Sequence, residues 1–389
     1  MTAERVHHLD WLKVLIVYGI VLFHVSLVFT YGDWLVNNAQ RSVVLSAFAA
    51  FCFPWGIPAM FLIAGADAWF ALRSHSIAEF IRKRFLRLVV PLVPGLLILA
   101  PLQRFVVSHN PPPPIERLPA YYVDFFGGME HIQWSLGVIG QYWLHLWFLA
   151  YLFGISLACA PLVKWLHGPS GRLLTARLVD EAQRRGLVLF VVPLMLTQVV
   201  LRPLFPSYQD WADVMTYTIA FLWGAVVFAD RRFDQVIVSQ IRRILVAAVT
   251  ATLMLGAVMY LMPPHGEWRE VLRALAWSLY VWTWLHAVLY LGIRWLSFPH
   301  PVITYARDSV LPLYVIHHPF VLLIASFVVT WSAGVWPKFL LIVVPVFAIT
   351  VTIYELGVRR WNPARVAFGL EPLHAAAPAP GPRSTRQTA

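Results

Sequence analysis

Long apolar runs separated by short polar segments repeat along the whole chain. A run of about 20 apolar residues is long enough to cross a bilayer as an α-helix. The pattern predicts an all-α integral membrane protein, a bundle of about ten transmembrane helices with no room for a sizeable soluble domain. The predicted ranges are 10–30, 46–72, 87–107, 140–163, 187–205, 211–229, 243–262, 271–293, 309–331 and 338–357.

The first predicted helix carries three polar residues, Asp10, Lys13 and His24, in an otherwise apolar run. Each charge held at the centre of a bilayer costs at least about 2.5 kcal/mol, so such residues usually face protein or water. An α-helix turns about 100° per residue, which puts Lys13 and His24 on one face about 16 Å apart, with Asp10 within about 60° of both. The stripe predicts a helix that faces the bundle interior or a water-filled path.

Composition supports the membrane class. The chain is 59% hydrophobic and 13% charged, whereas a soluble domain has about 25% charged residues. A net charge of +11 could suggest a nucleic-acid partner, but the positions of the basic residues are better explained by membrane topology. With the N-terminus in the cytoplasm, 22 Lys and Arg fall on inside segments, seven fall outside, and Lys13 is embedded. This asymmetry predicts both termini to be cytoplasmic, and no nucleic-acid partner is expected.

His24 is the first candidate for chemistry, because a neutral imidazole is the usual general base near pH 7. A lone buried histidine can equally be a hydrogen-bonded contact between helices. A transporter is the alternative from another class, with the Lys13, His24 and Asp10 stripe as a proton or substrate path. The shared face with the two charged residues favours a functional role.

Four basic residues, Arg82, Lys83, Arg84 and Arg87, come just before the third apolar run. One interpretation is a topological anchor that binds lipid headgroups. The other is a phosphate site. If a helix begins near this point, Arg84 and Arg87 lie at its N-terminus, where cationic side chains and free backbone N–H groups suit a phosphorylated ligand arriving from the cytoplasm.

Two later runs supply further cavity candidates. His145 and Trp147 enter the fourth predicted helix, where alone they would be ordinary interfacial anchors. In the ninth, Tyr314 and His317 are three residues apart and share a face. Asp308 is predicted to cap the cytoplasmic end of that helix.

Other chemistries have little support in the sequence. One of the adjacent residues His317 and His318 is expected to face the bundle interior. Three intramembrane histidines could ligate a metal, but there is no HxxxH spacing or carboxylate pairing, so no metal is expected. The sequence also lacks a Walker loop, a GxSxG elbow and a glycine-rich dinucleotide turn.

The ordered motifs together resemble the acyltransferase-3 family, in particular its branch similar to glucan biosynthesis protein C. The opening Leu9-Asp10-Trp11-Leu12-Lys13, with His24, resembles the family's Leu-Asp-x-Leu-Arg opening with Arg-x10-His. Lys13 replaces the family's Arg, and Arg307-Asp308 stands where Asn-Glu is expected. The other matching segments are 58–66, 80–88, 145–149, 310–317 and 354–360.

The resemblance implies a membrane O-acyltransferase. Such an enzyme moves an acyl group, usually acetyl or succinyl, from cytoplasmic acyl-coenzyme A (acyl-CoA), the donor substrate, to a hydroxyl of an extracytoplasmic glycan or related acceptor. His24 takes the family's catalytic histidine position and Lys13 its basic partner, which would orient the donor, neutralise Asp10, or both. Arg84 and Arg87 take the position associated with the coenzyme.

The resemblance also sets expectations for organisation. It covers nearly the whole chain, so residues 1–372 are interpreted as one acyltransferase-3-like transmembrane domain, followed by a low-complexity, disordered tail at 373–389. It implies a multi-pass protein of the bacterial cytoplasmic (inner) membrane. The partners expected are acyl-CoA, a hydroxyl acceptor and the lipid bilayer. General-base catalysis and an acyl-histidine intermediate both remain open.

Overall fold

The computed structural model describes residues 6–109, 112–128, 142–263 and 266–373. These ranges are helical and contain no strand. Residues 140–141 of the fourth predicted helix, and the predicted disordered tail beyond Leu373, lie outside them. In chain order the helices are α1 (His7–Leu27), α2 (Val43–Ser74), α3 (Ile77–Val107), α4 (Leu118–Gly128), α5 (Leu144–Leu166), α6 (Pro169–Arg185), α7 (Leu187–Leu201), α8 (Trp211–Ala229), α9 (Arg232–Ser239), α10 (Ile241–Leu261), α11 (Trp268–Trp295), α12 (Pro301–Val328), α13 (Val335–Val358) and α14 (Asn362–Ala367).

Within the described residues, nine helices are long and apolar enough to cross a membrane, namely α1, α2, α3, α5, α8, α10, α11, α12 and α13. The predicted helix at 187–205 corresponds to α7, which ends at Leu201. Its rise is about 22 Å, short of the ~30 Å hydrocarbon core of a bilayer. The described part of the chain therefore has nine helices of spanning length, where about ten were predicted.

The short helix α7 nevertheless connects opposite faces of the bundle. Arg232 Nη1 in α9 lies 2.8 Å from Asp180 Oδ1 in α6, so α6 and α9 lie on one face of the molecule, hereafter the α6–α9 face. Because α7 and α8 join these two helices in sequence, they run across the bundle in opposite directions. Lys164 at the end of α5 donates to the carbonyl groups of Leu72 and His75, which places the end of α2 on the same face.

Two predicted helix starts are wrong, and both errors concern candidate site residues. Helix α3 begins at Ile77, where Ser76 and Glu79 form a capping box, so Arg84 and Arg87 lie two to three turns inside a continuous helix. Their backbone N–H groups therefore do not form the free helix N-terminus expected for a phosphate. Helix α12 begins at Pro301 with His300 as its cap, so Asp308 does not cap it.

Helix α1 is central, packing against α2, α11, α12 and α13. The most apolar window of α12 is 72% buried, compared with 22% for α10 and α13. Because a membrane supplies no hydrophobic drive between helices, the outer faces of α10 and α13 remain apolar and the central helices carry the polar side chains.

Helices α2 and α8 approach each other through glycine. A Cβ atom added at Gly65 would lie 1.8 Å from the carbonyl oxygen of Phe221, and one added at Gly224 would lie 1.9 Å from that of Leu62. Small residues permit such close backbone contact between membrane helices. This contact fixes the segment of α2 that presents Asp67 to the interior.

Candidate active site

A cavity of about 90 Å³ lies between α1, α2, α3, α5 and α12. Its polar lining comes from four charged side chains, Lys13, Asp67, Arg84 and Arg87, and from Tyr314, and its remaining lining residues are apolar. Arg87 is exposed and Arg84 is partly buried. Both lie in the half of α3 that begins beside the end of α2, which puts the mouth on the α6–α9 side of the bundle. A cationic mouth with apolar walls suits an anionic ligand that carries a long chain.

Lys13 forms an ion pair inside this cavity. Its Nζ lies 3.0 Å from Asp67 Oδ1 and 2.9 Å from Asp67 Oδ2. The ion pair seen for Lys13 is thus with Asp67 on another helix, and the interpretation that Lys13 neutralises Asp10 stays a prediction. Asp10 does not line the cavity, and its Oδ2 lies 4.0 Å from Arg307 Nη1. The Asp67 carboxylate holds the ammonium group in place, as a partly buried charge requires.

The two arginines take different positions at the mouth. Arg84 Nη2 donates to the Ala64 carbonyl at 3.1 Å, and its guanidinium carbon lies 5.2 Å from the centre of the Phe80 ring. Arg87 lies in the π-helical turn Phe85–Val89, which precedes Pro91. π-helical turns within α-helices are frequent at functional sites. Both cations thus reach one cavity although neither lies at a helix N-terminus.

Four histidines cluster at the other end of the site: His24 of α1, His145 of α5, and His317 and His318 of α12. Nδ1 of His24 lies 2.9 Å from Nε2 of His317. The ring centres of His24 and His318 are 4.7 Å apart, and those of His145 and His318 are 4.6 Å apart. Both adjacent histidines of α12 are buried in the interior, whereas the sequence interpretation gave that position to one.

A proline explains how His145 is held. Nε2 of His145 lies 3.1 Å from the carbonyl oxygen of Val315. In an α-helix that carbonyl would accept from the residue four positions later, which here is Pro319 and has no N–H. The freed carbonyl accepts from the imidazole instead. In return, the Tyr314 hydroxyl donates to the backbone carbonyl of His145.

His318 is held by a buried amide. Its Nδ1 lies 2.5 Å from Oε1 of Gln103 in α3, while Nε2 of Gln103 donates to the Leu99 carbonyl at 2.9 Å. Gln103 is completely buried. Because its amide nitrogen is already committed to Leu99, its oxygen is the atom available to the imidazole.

The loop between α1 and α2 covers the cluster on the face opposite α6 and α9. The Trp34 ring stacks on His24 with centres 6.1 Å apart and meets His318 edge-on at 5.7 Å. Buried Lys338 anchors this loop by donating to Asn38 Oδ1 at 2.8 Å and to the Val329 carbonyl at 2.9 Å. His24 itself is only partly buried beneath it.

The cavity and the histidine cluster meet at Tyr314. This residue lines the cavity, and its ring centre lies 5.5 Å from that of His145 and 6.1 Å from that of His317. Lys13 lines the cavity but His24 does not, so the expectation that both line one continuous channel is not met in this structure. One polar face of α1 instead serves two adjoining compartments.

Two predicted candidates lie away from both compartments. Trp147 is buried against Tyr151 and Tyr217 and does not line the cavity. The Asp308 side chain is 53% exposed and lies 3.5 Å from Arg307. The cavity role suggested for Trp147 remains an untested prediction, whereas the capping role suggested for Asp308 is wrong because its helix begins at Pro301.

Sequence reasoning missed four residues that build the site. It gave no partner to Asp67 and did not select Gln103, His318 or Trp34. Gln103 was detectable, because it and Arg104 are the polar residues of the apolar stretch that follows Arg87, at 88–107. The pairing of Asp67 with Lys13 joins residues 54 positions apart, and no local pattern encodes it.

Four imidazoles this close together are a possible arrangement for binding a metal ion. Among the described residues, no group of three or more His, Cys, Asp or Glu side chains is arranged to hold a metal ion. The absence of a metal remains a prediction.

Comparison with known proteins identifies the class. A family model for an acyltransferase domain matches residues 6–355, nearly the whole chain. The protein belongs to the acyltransferase-3 family and is a multi-pass membrane acyltransferase. This membership does not favour the transporter alternative.

The chain is also similar to curated proteins named glucans biosynthesis protein C. Those of Escherichia coli strain K12 and strain O9:H4 (HS) are each 22% identical to it over 382 residues, covering 92% of this chain and 92% of theirs. No solved structure gave a significant match.

Proposed function

We propose that the protein transfers an acetyl or succinyl group from acyl-CoA, bound from the cytoplasm, to a hydroxyl of an extracytoplasmic glycan. The observation that supports this proposal is that the two compartments of the site meet at Tyr314. There a cavity with a cationic mouth meets a histidine pair in which His24 Nδ1 lies 2.9 Å from His317 Nε2. One compartment would bind the anionic donor, and the adjoining one would remove the proton from the alcohol.

The cavity supports the donor half of the proposal. Arg84 and Arg87 offer guanidinium groups, whose planar fork can bind phosphate oxygens in a bidentate manner. Apolar residues such as Leu88 and Val17 line the cavity beyond the charged side chains and suit a pantetheine arm. The thioester would then lie near Tyr314, at the boundary of the histidine cluster.

The cluster supports the acceptor half. His24 is partly buried beneath the Trp34 loop, on the face away from the cavity mouth. Its imidazole would remove the proton of the acceptor hydroxyl as the oxygen attacks the thioester carbonyl. The carbon–sulfur bond then breaks, and the proton passes from His24 to the leaving thiolate.

The arrangement in the membrane belongs to the same proposal. With the α6–α9 face in the cytoplasm, the excess of Lys and Arg lies inside, as the positive-inside rule requires. Both termini are then cytoplasmic, and the membrane is the bacterial inner membrane. A periplasmic glucan is the first acceptor to test, because the similar proteins are named for glucan biosynthesis.

The test is transfer by the purified protein in lipid nanodiscs. Acetyl- or succinyl-CoA labelled in the acyl group is supplied with envelope glycans from cells that lack this protein. We expect label on the glycan and one free coenzyme thiol released per acyl group transferred. Absence of both transfer and coenzyme binding with either donor would overturn the proposal. Mass spectrometry of the labelled glycan then identifies the acceptor.

A further inference from the structure

We propose that His317 is a positioning residue that fixes the tautomer of His24, so that Nε2 of His24 is the nitrogen that takes the acceptor's proton. The catalytic half of this inference rests on the proposed function. Its structural half concerns where one proton resides, and it is argued from hydrogen bonds alone.

The argument begins at a backbone carbonyl. Nδ1 of His317 lies 3.1 Å from the carbonyl oxygen of Leu313, one turn earlier in α12. A carbonyl oxygen can only accept, so this contact requires the proton on Nδ1 of His317. A neutral imidazole has one N–H, and burial among other imidazoles favours the neutral form. Nε2 of His317 therefore carries no proton and can only accept a hydrogen bond.

The next ring follows from the first. Nε2 of His317 lies 2.9 Å from Nδ1 of His24. Because Nε2 of His317 must accept, Nδ1 of His24 must donate and carries the single proton of its ring. Nε2 of His24 is left unprotonated, in the state that a general base requires.

The same device occurs elsewhere in the molecule with a donor whose role is fixed. His286 Nδ1 lies 2.7 Å from the carbonyl of Trp282, again four residues earlier, and its Nε2 lies 3.0 Å from Nε1 of Trp223. An indole N–H can only donate, so Nε2 of His286 must accept. A carbonyl four residues earlier in the helix thus sets the imidazole tautomer at both places.

The other two histidines of the cluster leave this assignment intact. His145 donates its one N–H to the Val315 carbonyl, and His318 donates its one N–H to Gln103 Oε1. Nδ1 of His145 is buried and has no hydrogen-bond partner among the described residues, as a nitrogen without a proton can be. Neither ring therefore has a proton to offer to Nδ1 of His24.

The consequence for the reaction is a directed proton path. The hydroxyl proton moves to Nε2 of His24 while the alcohol oxygen bonds to the acyl carbon and the carbon–sulfur bond breaks. The His24 imidazolium keeps its Nδ1–H bond to His317, which holds the ring in place, and Nε2 returns the proton to the thiolate. This is the part that a carboxylate plays in a Ser-His-Asp triad, here performed by a neutral imidazole.

Two substitutions at one position separate this role from simple packing. His317→Leu removes the acceptor, and we expect kcat to fall about 10³-fold or more with KM for acyl-CoA nearly unchanged, because the other tautomer of His24 becomes accessible. His317→Glu restores an acceptor at similar reach, and we expect kcat within about 10-fold of the unmodified protein. His286→Leu removes an equivalent buried imidazole outside the site and is the matched control, with kcat per folded molecule unchanged.

The tautomer is measured directly by nitrogen-15 NMR of histidine-labelled protein in nanodiscs, with His24 assigned by its loss in His24→Ala. A proton on Nδ1 of His24 in the unmodified protein and in His317→Glu, lost from Nδ1 in His317→Leu, supports the proposal. A neutral His24 with its proton on Nε2 overturns it, as does equal kcat in the two His317 variants. If the unmodified protein shows the Nδ1 proton but transfers no acyl group, the tautomer assignment stands and the proposed function fails.

Discussion

The two compartments of the candidate active site stabilise their polar side chains inside the membrane in different ways. The cavity keeps its charge, because Lys13 is paired with Asp67 and its mouth opens at Arg87. The histidine cluster relies on hydrogen bonds instead, with each ring bonded to a carbonyl, an amide or another imidazole. Damage to the cavity should therefore weaken donor binding, whereas damage to the cluster should slow the chemical step.

The largest effect is expected at His24. His24→Ala removes the base without altering the cavity, and we expect transfer to fall about 10³-fold or more, given that general-base catalysis and its geometry act together. Coenzyme A binding, measured by calorimetry, should change less than about three-fold, because His24 does not touch the phosphates. Retained turnover would remove His24 from the mechanism. Lost binding would contradict the separation of the two compartments.

The next effect belongs to the cavity mouth. Arg84→Ala combined with Arg87→Ala should weaken coenzyme A binding about 10–100-fold, the worth of one or two charge-assisted hydrogen bonds. Added salt should weaken binding to the unmodified protein more than binding to the double variant. Arg242→Ala with Arg243→Ala removes two cations from the start of α10, outside the site, and is the control. Equal affinity in both double variants would favour the lipid-anchor interpretation.

A smaller effect tests how the cavity holds its charge. Lys13→Met or Asp67→Asn alone leaves one partner of the ion pair unmatched, and we expect a loss of about 1–3 kcal/mol in the free energy of unfolding, reduced by the partial exposure of both groups. The double variant should lose less than the two single losses added together. Glu181→Gln breaks an exposed ion pair, in which the Glu181 side chain is 41% and the Arg185 side chain 67% exposed. It should cost under about 0.5 kcal/mol in the free energy of unfolding. Additive losses at positions 13 and 67 would argue against coupling.

The same contrast shows what the sequence could and could not predict. Hydrophobic runs predicted an all-helical bundle, and helical periodicity predicted one polar face on α1. Neither could predict that Lys13 pairs with Asp67, because the partner comes from another helix. The starts of α3 and α12 were missed because amphipathic turns outside the apolar runs extend both helices, so the helix-end roles of Arg84, Arg87 and Asp308 were wrong. The cluster also depends on the Val315 carbonyl, which Pro319 leaves without its helical donor. The sequence does not show that His145 of α5 packs beside this carbonyl and donates to it.

The smallest effect probes the outer edge of the cluster. Gln103→Leu removes the acceptor of His318 Nδ1, one ring away from the base. Because a buried donor without a partner costs about 1–3 kcal/mol, the variant should lose stability on that scale. His24 keeps its bond to His317, so kcat should fall only about 3–10-fold, the weight of an indirect contact. Gln198→Leu is the control, since Gln198 is also buried and bonds Ala212, Thr216 and Arg202 away from the site. It should cost similar stability and leave kcat unchanged. A loss on Gln103→Leu as large as that of His24→Ala would mean that the four rings act as one catalytic unit and that the proton is not confined to the His24–His317 pair.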